Sequence, residues 1–174
     1  MTTNNIVLIG MMACGKTSVG KAASQQAGLA FLDTDAFIEA HMAMPIPHIF
    51  AQYGESYFRD LEAEAALHAA GQTRTVIATG GGLPLRAANT TALRASGKIV
   101  YLRCNAKELL RRTRDDENRP LLKGLGEAER LAHIQNLLAQ REPLYRQHSD
   151  LVLDADEPDA EKHARAILKW VGYA

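Results

Sequence analysis

Residues 6–17 decide the fold of this chain, and they read Ile-Val-Leu-Ile-Gly-Met-Met-Ala-Cys-Gly-Lys-Thr. After an apolar run, the segment from Gly10 to Thr17 matches the pattern G-x-x-x-x-G-K-S/T. An alanine-rich stretch, Lys16 to Ala27, continues from it. A short apolar run before such a loop and a helical segment after it form the context in which this pattern binds phosphate. The segment therefore predicts a strand, a phosphate-binding loop and a helix.

The residues of this loop are the candidates for nucleotide binding. Backbone N–H groups of such a loop, and of the helix that follows it, wrap phosphate groups. We expect the ATP contacts here to come from Met12, Ala13, Cys14, Gly15, Lys16 and Thr17. Lys16 is expected to reach the β- and γ-phosphates, and Thr17 to bind Mg²⁺, with Asp33 holding one of the waters of the ion. The alternatives are a chance match in a turn and a nucleotide-binding module without transferase activity.

The rest of the chain repeats the alternation of short apolar runs with helical segments. Further runs occur at residues 29–32, 75–78, 99–102 and 151–153. Runs that are apolar without alternation are typical of parallel strands covered by helices on both faces. Consecutive strands of this kind are joined by right-handed crossovers. We therefore predict an α/β three-layer sandwich with a central parallel sheet of about five strands.

Length and composition restrict the class of protein. The chain has 174 residues, which suits a single domain spanning residues 1–174. Lys plus Arg number 20 and so do Asp plus Glu, so nucleic acid is not an expected partner. No apolar run approaches the roughly 20 residues of a membrane span. Two cysteines, Cys14 and Cys104, fit neither a disulfide framework nor a metal site, so we expect a reducing compartment, the cytoplasm.

Two regions depart from the strand and helix alternation. Residues 36–71 are long and helical, with Pro45 and Pro47 near the middle, and residues 111–126 are rich in arginine. Insertions in an α/β kinase lie at the carboxyl ends of the strands. We predict a substrate-binding insertion at about residues 34–71 and a lid at about residues 112–126.

Two aspartates follow the second apolar run. Asp35 lies just past the end of a strand, where it is positioned to meet and orient a substrate hydroxyl. An aspartate at this place also caps a helix, because its carboxylate accepts hydrogen bonds from free N–H groups. Capping by Asp33 or by Asp35 does not exclude a role in catalysis for the other.

Three consecutive glycines, Gly80, Gly81 and Gly82, follow the third apolar run. Glycines in series are costly unless a ligand or another backbone approaches closely. Their N–H groups are candidates for binding a hydroxyl or a carboxylate, and the alternative is a bare turn after a strand.

Two arginines are candidates for binding an anionic substrate. Arg59 and Glu62 are three residues apart on a predicted helix, so they share one flank of it, and the alternative is an exposed ion pair. Arg141 occupies a place in the apolar stripe of a later helix. A buried arginine needs an anion, which is either a structural carboxylate or the substrate.

The arginine-rich region reads as a lid. Residues 111–114 and 119–122 surround an acidic segment at residues 115–118. An arginine on a mobile loop stabilises the charge of a phosphoryl-transfer transition state. The alternative is a solvated charge run with internal ion pairs.

Six ordered motifs resemble the shikimate kinases. They are the loop at 10–17, Phe-Leu-Asp-Thr-Asp at 31–35, Gly-Glu at 54–55 with Phe58, Arg59 and Glu62, the glycines at 80–82, Arg-Pro-Leu-Leu at 119–122, and Arg-Glu-Pro-Leu-Tyr-Arg at 141–146. The resemblance implies a P-loop, nucleoside-monophosphate-kinase-like fold. It also implies an enzyme that makes shikimate 3-phosphate and ADP from shikimate and ATP, on the route to chorismate and the aromatic amino acids. Mg²⁺ and a monomer are implied as well.

The resemblance also implies roles for residues on the acceptor side. Asp35 looks like the residue that contacts the hydroxyl to be phosphorylated. Arg59 and Arg141 look like the pair that holds the substrate carboxylate, and Gly81 looks like a backbone donor. Glu62 would orient Arg59, and Gly80 and Gly82, on either side of Gly81, would support the site.

On the nucleotide side, Lys16 resembles the phosphate-loop lysine, and Arg119 the lid arginine that closes on the ATP phosphates. Arg112 resembles the arginine that packs on adenine. The chain departs from the family at residues 154–159, which lack the basic residue of many relatives, although Pro158 is still able to pack on adenine. A kinase for another small hydroxy acid, such as gluconate, is the rival enzyme.

Overall fold

Five parallel strands form the central sheet. The computed structural model describes residues 5–114 and 124–173. The strands in these ranges are β1 (Asn5–Ile9), β2 (Ala30–Asp33), β3 (Thr75–Ala78), β4 (Gly97–Arg103) and β5 (Leu151–Asp154). Their spatial order is β2-β3-β1-β4-β5, and every neighbouring pair is parallel. The prediction of an α/β protein with about five parallel strands is confirmed.

Burial accounts for the strands at the centre of the sheet. Every residue of β1 and β3 is buried, as expected for strands with neighbours on both edges and helices on their faces. The second strand begins at Ala30 rather than at Leu29, and it continues to Asp33, which pairs with Ala78 of β3. The pairing therefore brings the carboxylate of Asp33 to the same edge of the sheet as the loops after β1 and β3.

Helices cover this sheet and connect its strands. They are α1 (Lys16–Ala27), α2 (Thr34–Met42), α3 (Ile46–Ala70), α4 (Ala87–Ser96), α5 (Ala106–Arg112), α6 (Glu127–His148) and α7 (Ala160–Val171), with a 3₁₀ turn at Leu83–Leu85. Helix α1 packs against α7, and α5 packs against α6. No helix in the described ranges is both long and apolar enough to cross a membrane.

The predicted insertion is a helical hairpin with a small core of its own. Pro45 precedes the first residue of α3, where a proline does not cost a helical hydrogen bond. Gly54 interrupts α3 with φ 80° and ψ 174°, a conformation open mainly to glycine. The core of the hairpin is formed by Ile38, Ile49, Phe58, Leu61 and Ala65.

The arginine-rich region begins inside a helix. Arg111 and Arg112 form the last turn of α5, so this end of the predicted lid is helical rather than a loop. Arg119 lies outside the described residues, and the chain is described again from Gly124. The limits of the lid at about 112–126 and of the insertion at about 34–71 stay predictions.

Candidate active site

The loop between β1 and α1 has the backbone shape that its glycines predict. Gly10 has φ 146° and Gly15 has φ 100°, in the region that favours glycine. A β-carbon at Gly10 would also lie 2.6 Å from the carbonyl oxygen of Leu102. Both conformation and space therefore require glycine at the end of β1.

Lys16 holds this loop together from inside. Its side chain is 8% exposed, and its Nζ donates to the carbonyl oxygens of Gly10 at 3.0 Å and Met11 at 2.6 Å. Its Nζ also lies 3.5 Å from the Sγ of Cys14, which is buried in the core. The ammonium group is thus placed at the mouth of the loop with neutral partners, where a phosphate is able to replace them.

Asp33 connects the phosphate loop to helix α2. One oxygen of its carboxylate accepts a hydrogen bond from the hydroxyl of Thr17 at 2.7 Å. The other accepts from the backbone N–H groups of Asp35 at 3.0 Å and Ala36 at 3.3 Å. Asp33 is therefore the helix cap, and the side chain of Asp35 is not needed for capping.

The pair of Thr17 and Asp33 fits a magnesium ion. The described residues contain no group of three or more His, Cys, Asp and Glu side chains able to hold a metal. Mg²⁺ bound to a nucleotide needs only one or two protein oxygens, because waters and phosphates complete its shell. A hydroxyl and a carboxylate oxygen 2.7 Å apart beside the phosphate loop meet that requirement.

Three cavities adjoin one another along this edge of the sheet. The phosphate cavity, of about 380 Å³, lies over the loop and α1, and the acceptor cavity, of about 130 Å³, lies over the insertion. Both are lined by Met12, Asp35 and Gly81. The distal cavity, of about 260 Å³, shares Arg112 with the phosphate cavity on its other side. Along the edge of the sheet, the phosphate cavity therefore lies between the distal cavity and the acceptor cavity.

Asp35 lies where the phosphate and acceptor cavities meet. Burial, and then the charge of Asp33, raises the pKa of Asp35 to about 6, while Lys16 opposes the rise. A β-carbon at Gly80 would overlap the carboxylate of Asp35. Gly80 therefore makes room for this side chain, a function that the three-glycine pattern alone did not reveal.

Arg59 enters the acceptor cavity from α3. Its guanidinium donates to Glu62 at 2.7 Å and to Glu55 at 2.9 Å. The Glu62 side chain is only 2% exposed, so the alternative of an exposed ion pair is wrong for this partner. Burial raises the pKa of Glu62, and the charges of Arg59 and Arg141 oppose the rise.

Arg141 enters the same cavity from α6. The residue is 8% exposed, as its place in the apolar stripe predicts. Burial raises the pKa values of Glu62 and Tyr145, and the charge of Arg141 opposes both rises. Arg141 nevertheless forms no ion pair with a carboxylate of residues 5–114 or 124–173. The guanidinium is thus available to an anion inside the acceptor cavity.

Two buried hydroxyls hold the glycine segment, and neither was identified as functional from the sequence. The N–H of Gly80 donates to the Oγ1 of Thr34 at 2.9 Å. The hydroxyl of Tyr145 donates to the carbonyl oxygen of Gly81 at 2.6 Å. The two aspartates beside Thr34 are the stronger functional candidates in the sequence, and Tyr145 reads as an ordinary core residue of its helix.

The apolar wall of the acceptor cavity was also missed. Ile46, Phe50 and Phe58 line it together with the glycines and arginines. The sequence signal was weak, because apolar residues at helical spacing in the insertion equally predict its core.

Arg112 lies between the phosphate and distal cavities. Its guanidinium donates to the carbonyl oxygens of Ala155 at 2.8 Å and Asp156 at 3.0 Å, and its Nε donates to Glu108 at 2.7 Å. Pro158 lines the distal cavity with it. The two residues expected at adenine are therefore brought together, whereas Arg119 is outside the described part of the chain.

Known proteins resemble this chain over nearly its whole length. The family model for shikimate kinase matches residues 12–172. A shikimate kinase of Moorella thermoacetica is 41% identical over 163 residues, which cover 94% of this chain and 91% of the relative. The family model spans all of the site residues from Met12 to Pro158.

Solved structures agree in fold. A shikimate kinase from Acinetobacter baumannii in complex with shikimate has a TM-score of 0.92 and 35% identity, covering 98% of this chain and 93% of that one. A gluconokinase from Sinorhizobium meliloti, with a TM-score of 0.55 and 17% identity over 98% and 94% of the two chains, shares the fold alone. This chain belongs to the shikimate kinase family.

Proposed function

We propose that this protein is an ATP-dependent shikimate kinase that transfers the γ-phosphate of ATP to the 3-hydroxyl of shikimate, giving shikimate 3-phosphate and ADP. One observation carries the proposal: Asp35 lies at the junction of the phosphate and acceptor cavities. A carboxylate at that point faces a bound phosphate on one side and an acceptor hydroxyl on the other. The family of the chain, and the shikimate complex of its relative, support the choice of acceptor.

The acceptor cavity suits a small ring that carries a carboxylate. Arg59 and Arg141 supply two guanidinium groups, which bind carboxylates through paired N–H donors. Phe50 and Phe58 supply apolar contact for ring carbons. The N–H of Gly81 supplies a further donor. An acceptor held at these points has its hydroxyl group directed toward Asp35.

Lys16 and the loop amides bind the transferred phosphate on the other side. Phosphoryl transfer depends mostly on positioning and on neutralising charge, because the protein does little covalent chemistry. Lys16 exchanges its bonds to the loop carbonyls for bonds to the β- and γ-phosphates. Arg119, on the proposed lid, adds positive charge to the phosphates. Arg112 and Pro158 hold the adenine ring in the distal cavity.

Thr17 would hold Mg²⁺ directly, and Asp33 would hold it through a water. Mg²⁺ held by these two residues would neutralise part of the charge of the nucleotide phosphates. The existing bond between Thr17 and Asp33 keeps both oxygens at the phosphate cavity before nucleotide binds.

Asp35 orients the acceptor hydroxyl and accepts its proton as the bond to phosphorus forms. Its pKa of about 6 leaves the carboxylate mostly ionised near neutral pH. The oxygen of the hydroxyl forms the new bond to the γ-phosphorus, and the bond from phosphorus to the bridging oxygen of ADP breaks. Alignment of these groups supplies most of the rate enhancement, as in other phosphoryl transfers.

The organisation of the molecule follows from the same proposal. We place a single domain over residues 1–174, with the acceptor-binding insertion at about 34–71 and the lid at about 112–126. A monomer suffices, because one chain supplies the residues of all three cavities. Two free cysteines, both buried, support a reducing compartment, and we propose the cytoplasm.

Acceptor specificity tests the proposal. ADP release is measured with Mg-ATP and, in separate reactions, shikimate, gluconate, a nucleoside monophosphate or no acceptor, with a Lys16→Met variant as the background control. We expect turnover with shikimate alone. Turnover with gluconate instead would retain the phosphate site and overturn the acceptor assignment. Nucleotide binding without any turnover would favour a non-catalytic module.

A further inference from the structure

The glycine segment at the acceptor cavity is held from two directions by side chains distant in sequence. The hydroxyl of Thr34, from the first turn of α2, accepts the N–H of Gly80 across 46 residues of chain. The hydroxyl of Tyr145, from α6, donates to the carbonyl oxygen of Gly81 across 64 residues. Thr34 and Tyr145 are both 0% exposed, so water does not compete for these bonds.

Each hydroxyl belongs to an element that also carries an acceptor-binding group. Thr34 directly precedes Asp35, whose carboxylate lies against Gly80. Tyr145 is one helical turn after Arg141. Burial raises the pKa of the Tyr145 hydroxyl, and the charge of the Arg141 guanidinium and a hydrogen bond with it oppose the rise. Residues four apart on a helix lie on the same face. The two bonds therefore connect the glycine segment to Asp35 on one side and to Arg141 on the other.

Gly81 lies at the centre of this arrangement. A β-carbon at Gly81 would lie 3.4 Å from the N–H nitrogen of Met12 and 3.7 Å from the Nη1 of Arg141, so the residue lies beside both the phosphate loop and Arg141. The N–H of Gly81 meets no acceptor among residues 5–114 and 124–173. The peptide groups beside it are fixed, and this donor remains for a ligand.

We propose that Thr34 and Tyr145 are positioning residues, which clamp the glycine segment so that the Gly81 N–H, Arg141 and Asp35 keep the spacing that the acceptor requires. The inference rests on the proposed function, because the acceptor is taken to be shikimate. Burial raises the pKa of Tyr145 to about 12, so its hydroxyl keeps the proton that it donates.

A neighbouring tyrosine supplies a matched control. The rings of Tyr101 and Tyr145 pack with their centroids 5.2 Å apart, and Tyr101 is also 0% exposed. The hydroxyl of Tyr101 has no hydrogen-bond partner in the described part of the chain. Removing it changes the same aromatic pair and the same chemical group, but breaks no bond to the glycine segment.

The test compares four variants with the unaltered chain. Tyr145→Phe and Thr34→Val each remove one side of the clamp, while Tyr101→Phe and Thr34→Ser keep both hydrogen bonds. Losing one hydrogen bond of this kind corresponds to an effect of about 3- to 10-fold. We expect the KM for shikimate to rise by about that factor in the first two variants, with the KM for ATP within about twofold. Thermal melting and circular dichroism check that each variant is folded.

The outcomes separate positioning from mere packing. A purely structural role would lower the melting temperature and the active fraction without changing the KM for shikimate, and that result would overturn the inference. An equal rise of the KM for shikimate in Tyr101→Phe would also overturn the inference. If Tyr145→Phe does not fold, the test rests on Thr34→Val and Thr34→Ser. A KM for shikimate that is the same in these two variants would overturn the inference. If the unaltered chain does not phosphorylate shikimate, the proposed function fails, and the inference fails with it.

Discussion

The guanidinium of Arg59 occupies the volume that a β-carbon at residue 82 would need. Glu62 and Glu55 accept hydrogen bonds from that guanidinium, so its position is restrained. Gly82 thus makes room for the Arg59 guanidinium in the acceptor cavity. The same relationship joins Gly80 to Asp35. The glycine segment is a surface against which the Asp35 and Arg59 side chains are packed.

Gly82→Ala should therefore weaken acceptor binding specifically. The new methyl group displaces Arg59, and we expect the KM for shikimate to rise about tenfold with little change in the KM for ATP. Steady-state kinetics with each substrate varied in turn measure both constants. Gly71→Ala is the control, because Gly71 has φ −75° and its β-carbon would meet its nearest neighbour at 3.4 Å. Equal kinetics in Gly82→Ala and Gly71→Ala would contradict the prediction.

Arg59 and Arg141 should differ in what their loss does to stability. Arg59→Ala leaves Glu62 buried without its partner, and breaking such a pair costs about 3 kcal/mol. Arg141→Ala removes no ion pair to a described carboxylate, so its free energy of unfolding should fall less. Both variants should raise the KM for shikimate. Urea unfolding and kinetics provide the two measurements.

Arg146→Ala is the control for Arg141→Ala, since Arg146 lies on the same helix, is 49% exposed and pairs with Glu142 at the surface. It should change neither the KM for shikimate nor, by more than about 1 kcal/mol, the stability. Unchanged acceptor kinetics in both Arg59→Ala and Arg141→Ala would remove the carboxylate assignment.

Asp35→Asn should lower kcat by about 100-fold, because the amide does not accept the proton of the acceptor hydroxyl. Both KM values should change little, since the arginines and the phosphate loop remain. Gly80→Ala should also lower kcat, because its methyl group displaces the same carboxylate. Rapid-quench measurement of the first turnover separates the chemical step from product release. A first turnover of normal rate in Asp35→Asn would exclude the role proposed for Asp35.

Thr17→Val should raise the concentration of Mg²⁺ needed for half-maximal activity by about tenfold at fixed ATP, because one of the proposed protein oxygens is lost. Removal of Mg²⁺ with a chelator should abolish activity in the unaltered chain, and added Mg²⁺ should restore it. Thr91→Val, at an exposed position on α4, is the control. A Mg²⁺ dependence that is the same in both variants would contradict the assignment.

Glu108 should make stability depend on pH in acid. The two hydrogen bonds from Arg111, and then the one from Arg112, lower the pKa of Glu108 from 4.5 to about 2, against an opposing effect of burial. The folded-state pKa is below the unfolded value, so the ionised carboxylate stabilises the fold fully above the unfolded pKa. That contribution is lost as the pH falls from 4.5 toward 2.

The free energy of unfolding of the unaltered chain should therefore exceed that of Glu108→Gln by a constant amount near neutral pH. The difference should shrink as the pH falls below about 4.5. Urea unfolding at a series of pH values measures it, and the exposed Glu64→Gln controls for the loss of one negative charge. A difference that does not change with pH would show that the pairs with Arg111 and Arg112 do not stabilise the fold.

Much of the fold was predictable because its signals are local. The run at residues 6–9 and the loop at 10–17 predict β1, the loop and α1 from neighbouring residues alone. The burial of Arg141 followed from its place in a helical stripe. Boundaries were less accurate, as in β2, because pairing with β3 rather than apolarity sets its last residue.

The parts of the site that depend on tertiary packing were not predictable. Asp33 and Asp35 lie on either side of the first residue of α2, and only the folded structure shows that Asp33 is the cap while its second oxygen binds Thr17. The spacing of Arg59 and Glu62 predicts their contact but not the burial of Glu62. Thr34 and Tyr145 gain their partners only when α2 and α6 converge on the glycine segment.

The row of three adjoining cavities has a consequence for ligand design. Arg112 borders both the distal and the phosphate cavities, and Asp35 borders both the phosphate and the acceptor cavities, so each cavity shares a side chain with the next. With the functions proposed for these cavities, one molecule that joins adenosine through a phosphate chain to a carboxylate-bearing ring would span all three. Such a bisubstrate compound loses its translational freedom once rather than twice, and the bound half presents the other half at a high effective concentration.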